Sequence, residues 1–263
     1  MKKLFPLIAC CSFFVLFSCT TPSGVKVTET FPVERNYSRL YVSDGMIVTV
    51  TDEVDDIVIT GDENVMEKLK VEFSSSGLLR IFRRDVSVVY LTTTEVLLPY
   101  NDRLKEVDVE MDSEFYTPFG IEGDNVKVIL SGRSKFDGYV YAENDLKLTL
   151  SDRSEAQMSF DVGSTMNLKM EHSKADLEGY TPRIFLEMKD KSSIERHWSG
   201  NYFTLECDGC YGSMTDGSTA HLHCYDEISV ALSNESFIYF TGDPDVDFAD
   251  VDETSDVIYN GDK

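Results

Sequence analysis

The sequence lacks the short motifs that mark several common enzyme classes. It contains no GxSxG nucleophile elbow, no HExxH zinc pair and no glycine-rich phosphate loop. Asp and Glu are so abundant, at 47 residues, that a pair of catalytic carboxylates can be drawn from many places, and their presence discriminates nothing. We predict a protein that is not an enzyme and that uses no cofactor.

Positive charge is scarce. The chain has 24 Lys and Arg residues against 47 Asp and Glu residues, which gives a formal net charge of −23. Such a surface repels the phosphates of nucleic acids and the carboxylates of acidic polysaccharides, so both are poor partners. Solubility is the simplest reason for the acidity.

Long apolar runs are absent after the N-terminus. Residues 1–18 have the parts of a signal peptide: a positive start, an apolar segment from Leu4 to Phe17, and a small residue before Cys19. That segment, at ~14 residues, is shorter than the roughly 20 that a membrane-spanning helix needs. The ending LFSC resembles the lipobox of bacterial lipoproteins, which implies cleavage before Cys19 and a diacylglycerol on its sulfur. The alternative is an ordinary secretory signal followed by an unrelated cysteine.

The expected localisation follows from this anchor. Residues 19–30 would form a lipidated tether, since they are small and polar and include Pro22 and Gly24. Thr20 is not the aspartate that retains lipoproteins in the inner membrane, so the resemblance to lipoprotein sorting rules favours the outer membrane. We expect an outer-membrane lipoprotein of the cell envelope, whose membrane contact is the lipid on Cys19. The periplasmic face and the cell surface both remain open.

Helical periodicity is also nearly absent, and period-two alternation takes its place. Segments such as 46–50 and 107–111 place apolar residues on one face of a short strand, with turn signals between the segments. The nearest approach to a helix runs from Glu63 to Leu69, at most two turns. The predicted fold class is therefore all-β, and residues 31–125 form an N-terminal part of short strands.

The second half of the chain repeats. VKVILSGRS from Val126 is followed by LKLTLSDRS from Leu146, MNLKMEHS from Met166 and IFLEMKDKS from Ile184. The starts of these four segments are almost evenly spaced along the chain. A nearly constant period of this size predicts a solenoid, here a β-helix or β-roll over residues 126–263 with an acidic C-terminal tail.

Each repeat has three apolar residues at alternate positions and then a polar corner. We expect the apolar residues to point inward and to stack on those of the next coil, at ~4.8 Å spacing. The corners end in Ser134, Ser154, Ser173 and Ser192. Stacked hydroxyls can satisfy the backbone groups of the turns, so this serine column needs no catalytic explanation.

The order of these motifs resembles the head GIN domain family, whose members are described as auto-transporter adhesins. The similarity lies in FPVERNYSRLYVSDGMIVTVT, IVITGDENVMEKLKVEFSSSGLLRIFRR and TEVLLPYNDRLKEVDVE, followed by repeats of the lxlSGxS type, over roughly residues 31 to 245. The resemblance implies a right-handed single-stranded β-helix or β-roll without a defined biochemical activity. Only the first corner keeps SG, at Ser131-Gly132, while later corners have SD, EH, KD and SN.

Cysteine is rare, and only Cys207, Cys210 and Cys224 follow the anchor. An odd count in an oxidising compartment favours one disulfide and one free thiol. Cys207 lies on the alternating inward face and Cys224 follows close to one coil later, so these two are the candidate pair. The alternative is that these cysteines are buried thiols without a disulfide.

A zinc site is the competing interpretation of the same segment. CDGC and HLHC offer Cys207, Cys210, His221, His223 and Cys224 as ligands. A strand, however, would point the two histidines to one face and Cys224 to the other. Zinc is therefore the weaker interpretation.

The C-terminal segment DPDVDFADVDE supplies closely spaced carboxylates. Asp243, Asp245 and Asp247 lie at alternate positions, like the start of a calcium loop. Phe248 stands where that loop needs glycine, and Thr254 stands where it needs a bidentate glutamate. We expect a solvated acidic tail rather than a weak calcium site, and predict no bound metal.

Aromatic residues are the remaining candidates for a binding site. Aromatics at alternate positions on a solvated strand face suit sugar stacking, although core or edge packing would equally account for them. The candidates are Tyr139, Tyr141, Trp198, Tyr202 and Tyr225. We predict an envelope binding or adhesion module with a glycan or protein ligand. The alternatives are a structural or signalling-associated protein with protein partners only and, on fold analogy alone, a polysaccharide-acting enzyme.

Overall fold

A computed structural model describes residues 22–84, 92–195, 202–248 and 250–261, with the backbone of 198–199. Side chains at 198–199 and 202–203 are outside this description. The predicted signal peptide and Cys19 also lie outside the described residues. Within them, no helix is both long enough and apolar enough to cross a bilayer.

The N-terminal part consists of short strands and one short helix. The helix begins after Asp62, whose side chain accepts the N–H of Asn64 at 3.1 Å, and it falls inside the segment that most resembled a helix in the sequence. The elements are β1 (Lys26–Phe31), β2 (Arg39–Val42), β3 (Met46–Thr51), β4 (Ile57–Asp62), α1 (Glu63–Met66), β5 (Leu69–Phe73), β6 (Leu78–Arg83), β7 (Thr94–Pro99) and β8 (Glu106–Val109).

The remainder is all strand and forms, with the first part, a β-solenoid of about seven turns. The all-β prediction is confirmed. The strands are β9 (Glu114–Leu130), β10 (Lys135–Ser151), β11 (Glu155–Val162), β12 (Thr165–Glu171), β13 (Lys174–Lys189), β14 (Ser193–Ile194), β15 (Trp198–Ser199), β16 (Tyr202–Phe203), β17 (Leu205–Met214), β18 (Thr219–Leu232), β19 (Phe237–Thr241), β20 (Asp245–Val246) and β21 (Asp256–Tyr259).

Each coil has a strand on a first face, a tight corner, and a strand on a second face. The long strands pass from the second face of one coil to the first face of the next. In β10, for example, residues 135–142 pair with β11 on the second face, and residues 145–151 pair with β12 on the first face. Both pairings are parallel and in register, so equivalent positions of these coils lie in one row.

The core lies between the two faces and consists of these rows. Val128, Leu148, Leu168 and Leu186 occupy one register position in four successive coils, and all are buried. On the second face the rings of Phe115 and Phe136 stack with centroids 5.8 Å apart. Similar neighbours above and below give each apolar side chain close packing, which stabilises the solenoid by removing apolar surface from water.

A buried serine stands at each of eight corners between the two faces, from Ser113 to Ser255. Ser236 shows what these serines do: its hydroxyl donates to the Ser233 carbonyl at 2.8 Å and accepts the N–H of Ser218 at 3.3 Å. The four serines expected from the sequence belong to a longer column. Its members are Ser113, Ser134, Ser154, Ser173, Ser192, Ser218, Ser236 and Ser255. Apart from Ser134, these serines satisfy backbone groups that coil stacking removes from water.

The N-terminal end of the solenoid is capped by antiparallel strands. On the second face β1 pairs with β4 and β4 with β7, and on the first face β5 pairs with β6. The predicted tether is therefore wrong for residues 26–30, which belong to β1. Val27 and Phe31 pack against the core, and Thr28 Oγ1 lies 2.9 Å from Thr60 Oγ1.

The C-terminal end corrects a second expectation. The acidic side chains are exposed to solvent as expected, but the segment is not a tail, because β20, β21 and the bridge from Val251 to Leu232 build the last coil. Asp252 accepts the N–H groups of Asn234 and Thr254 at 2.8 and 2.9 Å. Hydrogen bonds donated by the Asn234 N–H, the Ser255 hydroxyl and Thr254 lower the pKa of Asp252 to about 2. Its carboxylate thus caps a corner.

Replacing Ser236 with alanine should leave the Ser233 carbonyl and the Ser218 N–H without this partner in a buried corner. We expect Ser236→Ala to lower the free energy of unfolding by about 1 to 3 kcal/mol, measured as a shift in the urea midpoint. Ser134 is the matched control, because its buried hydroxyl has no hydrogen-bond partner among the described residues. Ser134→Ala should change the midpoint little, and equal losses in both variants would contradict this account of the column.

Candidate functional site

Carboxylates and aromatic rings alternate across the outer surface of the second face. One residue from each of six successive coils shares the same register position. These residues are Glu122, Tyr141, Asp161, Tyr180, Glu206 and His223, which we call the tyrosine–carboxylate row. Since neighbouring strands lie ~4.8 Å apart, the row extends about 24 Å along the solenoid.

Tyrosines in and beside the row are open to solvent. Tyr141 is 40% exposed and Tyr180 37%, and the flanking Tyr139 and Tyr225 are 39% and 47% exposed. The ring of Tyr139 lies against the backbone at Gly120, where an added Cβ would come within 3.0 Å of the ring and where φ is +76°. Glycine at that position lets the ring lie close to the strand. Three of the five aromatic candidates, Tyr139, Tyr141 and Tyr225, thus share one solvated surface.

Phenol groups at this surface donate to carboxylates. Tyr180 donates to Asp208 Oδ2 at 2.8 Å, and Tyr225 donates to Glu206 Oε2 at 2.5 Å. Partial burial and the Asp208 acceptor raise the pKa of Tyr180 to about 12. The Tyr180 phenol therefore stays protonated, and the two hydrogen bonds fix the orientation of the Tyr180 and Tyr225 rings.

Carboxylates of the row are available to a ligand. In the part of the chain that the structure describes, none of the ion pairs includes Glu122, Asp161 or Glu206. Each ionised carboxylate can accept several hydrogen bonds, from hydroxyl or ammonium groups alike. The row therefore combines apolar ring surface with hydrogen-bond acceptors and repels anions.

A groove of about 450 Å³ continues this surface toward the corners. The groove is lined by Tyr116, Asp137 and Gln157, which share one register position, and by the buried Ala156 beside Gln157. Lys135, at its edge, lies 3.2 Å from Glu114. Together the groove and the row make the outer surface of the second face the candidate binding site.

The two histidines of the zinc hypothesis belong to this outer surface. His221 stacks on Tyr239 with ring centroids 4.9 Å apart, and His223 Nδ1 lies 2.8 Å from Thr241 Oγ1. Burial lowers the pKa of His223. Cys224, the next residue along the strand, is buried in the core. Opposite faces separate the candidate ligands, as the strand periodicity indicates.

Metal-ligand clusters are missing from the described part of the molecule. No group of three or more His, Cys, Asp or Glu side chains there is arranged to hold a metal ion. This covers both the cysteine and histidine set and the acidic set of Asp243, Asp245 and Asp247. Asp245 instead lies in β20, in register with Glu227.

Cys207, Cys210 and Cys224 are all buried in the core. Cys207 and Cys224 are direct register partners on adjacent coils, and Cys224 Sγ contacts the carbonyls of Asp208 and Glu227 at 3.2 Å. The hydrogen bond to Cys224 and burial raise the pKa of Cys207 well above its usual range, and burial does the same for Cys210. Cys207 and Cys210 therefore react slowly in the folded protein, whereas the hydrogen bond with Cys207 lowers the pKa of Cys224 and only its burial protects it. The Cys207–Cys224 disulfide stays a prediction.

Thiol labelling tests that prediction directly. We expect a maleimide to leave Cys207, Cys210 and Cys224 unmodified in the folded protein, because all three are buried. In protein exported under oxidising conditions and unfolded without reductant, peptide mass mapping should find the label on Cys210 alone. Label on all three cysteines before reduction would disprove the disulfide, and label on the folded protein would contradict the buried positions.

Trp198 and Tyr202 belong to a separate two-stranded sheet. Their backbones lie in β15 and β16, where Trp198 pairs with Phe203 and Ser199 with Tyr202. Both side chains fall outside the described residues, so their part in the candidate site stays a prediction.

Asp108 is a perturbed carboxylate that the sequence analysis did not single out. Its Oδ1 is buried without a hydrogen-bond partner in the described part of the chain. Burial, with repulsion from Glu110 and Glu106 only partly offset by Lys127, raises its pKa to about 6. The signal in the sequence is EVDVE, which places three carboxylates on one side of β8.

Asp108→Asn should stabilise the protein near neutral pH. The folded state disfavours ionised Asp108, so the cost is absent below about pH 4 and fully present above about pH 6. We expect a gain of at most about 1 kcal/mol at pH 7, discounted because part of the side chain reaches solvent, and none at pH 4. Urea midpoints at both pH values measure it. Exposed Asp137→Asn is the control, and a gain that persists at low pH would contradict the burial of an ionised carboxylate as its cause.

Comparison with sequence families gives one match. Residues 36–182 match a family described as "Putative auto-transporter adhesin, head GIN domain". The match ends within β13, so it includes the SG, SD and EH corners and stops before the KD and SN corners. The comparison with curated proteins gave no match.

Solved structures share the fold over nearly the whole chain. A crystal structure from Parabacteroides distasonis, described as a "Putative lipid binding protein", is 12% identical with a TM-score of 0.68, covering 92% of this chain and 97% of that one. A second from the same organism, a "putative adhesin", is 14% identical with a TM-score of 0.61 and the same coverage. A third from Parabacteroides merdae, also a "putative adhesin", is 17% identical with a TM-score of 0.52, covering 92% and 96%.

Proposed function

The chain belongs to the head GIN domain family, and we propose that it is a non-enzymatic binding module of the cell envelope whose tyrosine–carboxylate row recognises a glycan. The observation that carries the proposal is the alternation of exposed rings and carboxylates over consecutive coils. The family description as an adhesin supports a binding role. No residue is assigned to catalysis.

The chemistry of the row suits neutral or amino sugars. An exposed tyrosine ring packs against the C–H face of a sugar, and a carboxylate accepts hydrogen bonds from its hydroxyl groups. Because Glu122, Asp161 and Glu206 repeat along the row, an extended glycan can contact several coils at once. The same charges and the net charge of −23 disfavour acidic glycans.

Attachment to the membrane through a lipid on Cys19 is the second part of the proposal. Asp62 accepts the N–H groups of Ser23 and Gly24 at 2.8 and 2.6 Å, which fixes the chain to the domain close behind the anchor. Only residues 20–22 separate Cys19 from that contact, a reach of roughly 10–14 Å. An anchored module would therefore lie close to the membrane surface, in the outer membrane by the sorting resemblance.

Binding to a glycan array tests the proposal. We expect the purified protein to bind neutral or amino glycans and to ignore acidic ones. Tyr141→Ala and Tyr180→Ala should each weaken binding about tenfold, since each removes one stacking surface. Tyr180→Phe should keep most of the affinity if stacking dominates, because it removes only the hydroxyl that donates to Asp208.

Phe185→Ala is the matched control for these variants. Phe185 is an exposed aromatic residue, 44% accessible, on the first face of the strand that carries Tyr180. It contacts Tyr211 with ring centroids 5.4 Å apart and takes no part in the row. Equal loss of binding in Phe185→Ala, or no glycan bound by the wild-type protein, would refute the assignment to the row.

A protein ligand is the second candidate, favoured by a different exposed pair. Tyr100 and Phe119 are 46% and 41% accessible and lie with ring centroids 5.3 Å apart. Exposed aromatic clusters are typical of protein interfaces. A protein partner whose binding is lost in Tyr100→Ala and retained in Tyr141→Ala would favour this function over glycan recognition.

A further inference from the structure

Cationic side chains gather at one corner of this acidic protein. Arg153, His172, Lys174 and Lys191 line a cleft of about 310 Å³, together with Ser173 and Glu155. A second cleft of about 550 Å³ shares Arg153 and His172 and adds Arg133 together with Asp112 and Asp152. The gathering is local, because Asp and Glu outnumber Lys and Arg by 47 to 24 in the whole chain.

Backbone geometry places these side chains one above another. Arg153, His172 and Lys191 have φ values of 67°, 50° and 60°, in the left-handed region that usually favours glycine. The Arg153 N–H donates to the His172 carbonyl at 2.7 Å, so the corners of consecutive coils are joined directly. Gly217 occupies the position of Lys191 in a later corner, with φ of 74°. The corner itself therefore does not require a long cationic side chain.

Charge in the cleft is only partly neutralised. Arg133 is bound by Asp112 at 2.6 and 2.7 Å, and Lys174 lies 4.0 Å from Glu195. Among the residues the structure describes, no ion pair includes Arg153, His172 or Lys191. Glu155 lines the cleft, and Asp152 and Asp190 precede two of the cations in the chain.

We propose that this cleft, which we call the corner cleft, binds a phosphate group. Arginine presents a planar set of donors that matches phosphate oxygens, and lysine adds a mobile point charge. The charged groups of Arg153, Lys174 and Lys191, from three consecutive coils, can surround a tetrahedral anion, whereas the charge of −23 repels an extended polyanionic surface. A phosphate on a small molecule is therefore favoured over a phospholipid headgroup. The proposal is independent of the tyrosine–carboxylate row.

Calorimetry with inorganic phosphate and sedimentation with vesicles test the corner cleft. The vesicles contain phosphatidylglycerol in phosphatidylcholine, with pure phosphatidylcholine as the blank. We expect the wild-type protein to bind inorganic phosphate, and Arg153→Gln/Lys191→Gln to lose at least about tenfold in affinity. Arg103→Gln/Lys147→Gln removes the same charge from exposed positions away from the cleft and should bind like the wild type.

The two probes also separate the source of the phosphate. Vesicle binding that is lost in Arg153→Gln/Lys191→Gln alone would assign the site to a phospholipid headgroup, and phosphate binding without vesicle binding would assign it to a small molecule. Absence of both, or equal loss in the two double variants, would overturn the proposal. Unchanged urea midpoints show that the variants are folded. Loss of glycan binding in Tyr141→Ala with phosphate binding retained would keep the two sites distinct.

Discussion

Parallel, in-register pairing between coils is the constraint on which the rest of the molecule depends. Backbone N–H and carbonyl groups of one coil bond to the next, so a position in one repeat is held ~4.8 Å from the same position in its neighbour. Like residues then stack on like: apolar rows fill the interior, and serines fill the corners. The same pairing aligns outward residues into surfaces such as the tyrosine–carboxylate row.

Stacking also separates chemical character around the circumference of the coil. One register position carries alternating acids and rings, from Glu122 to His223, while the corner shortly before it in the repeat carries Arg153, His172 and Lys191. Residues only a few positions apart in the repeat therefore lie on different surfaces, and each surface continues over several coils of the solenoid. This is how a chain with a large excess of acid keeps a basic corner beside an acidic face.

Local periodicity explains how much of this was predictable. Alternating apolar residues and evenly spaced repeats specify strands, coils and the corner serines without long-range information. The strands at the two ends were missed because β1 is mostly polar, with a distant partner in β4, and β20 and β21 are short and begin with aspartate. In the candidate site, Asp161 meets Tyr141 and Tyr180 only because β10, β11 and β13 align without a shift there. That register depends on the lengths of the turns. The repeat period of the sequence does not indicate at which residues the register shifts.

Chain order and spatial order disagree at the capped end. The coil of β2 and β3 lies between the coil of β6 and β7 and the coil of β8 and β9, although it comes first in the sequence. It therefore cannot be enclosed until residues through β7 have folded back onto one side and β8 has arrived on the other. Such pairings over long sequence separations fold slowly. We therefore expect closure of the capped end to be the slow step of folding. The coils that follow can then pair one at a time with the strand edge that this step exposes.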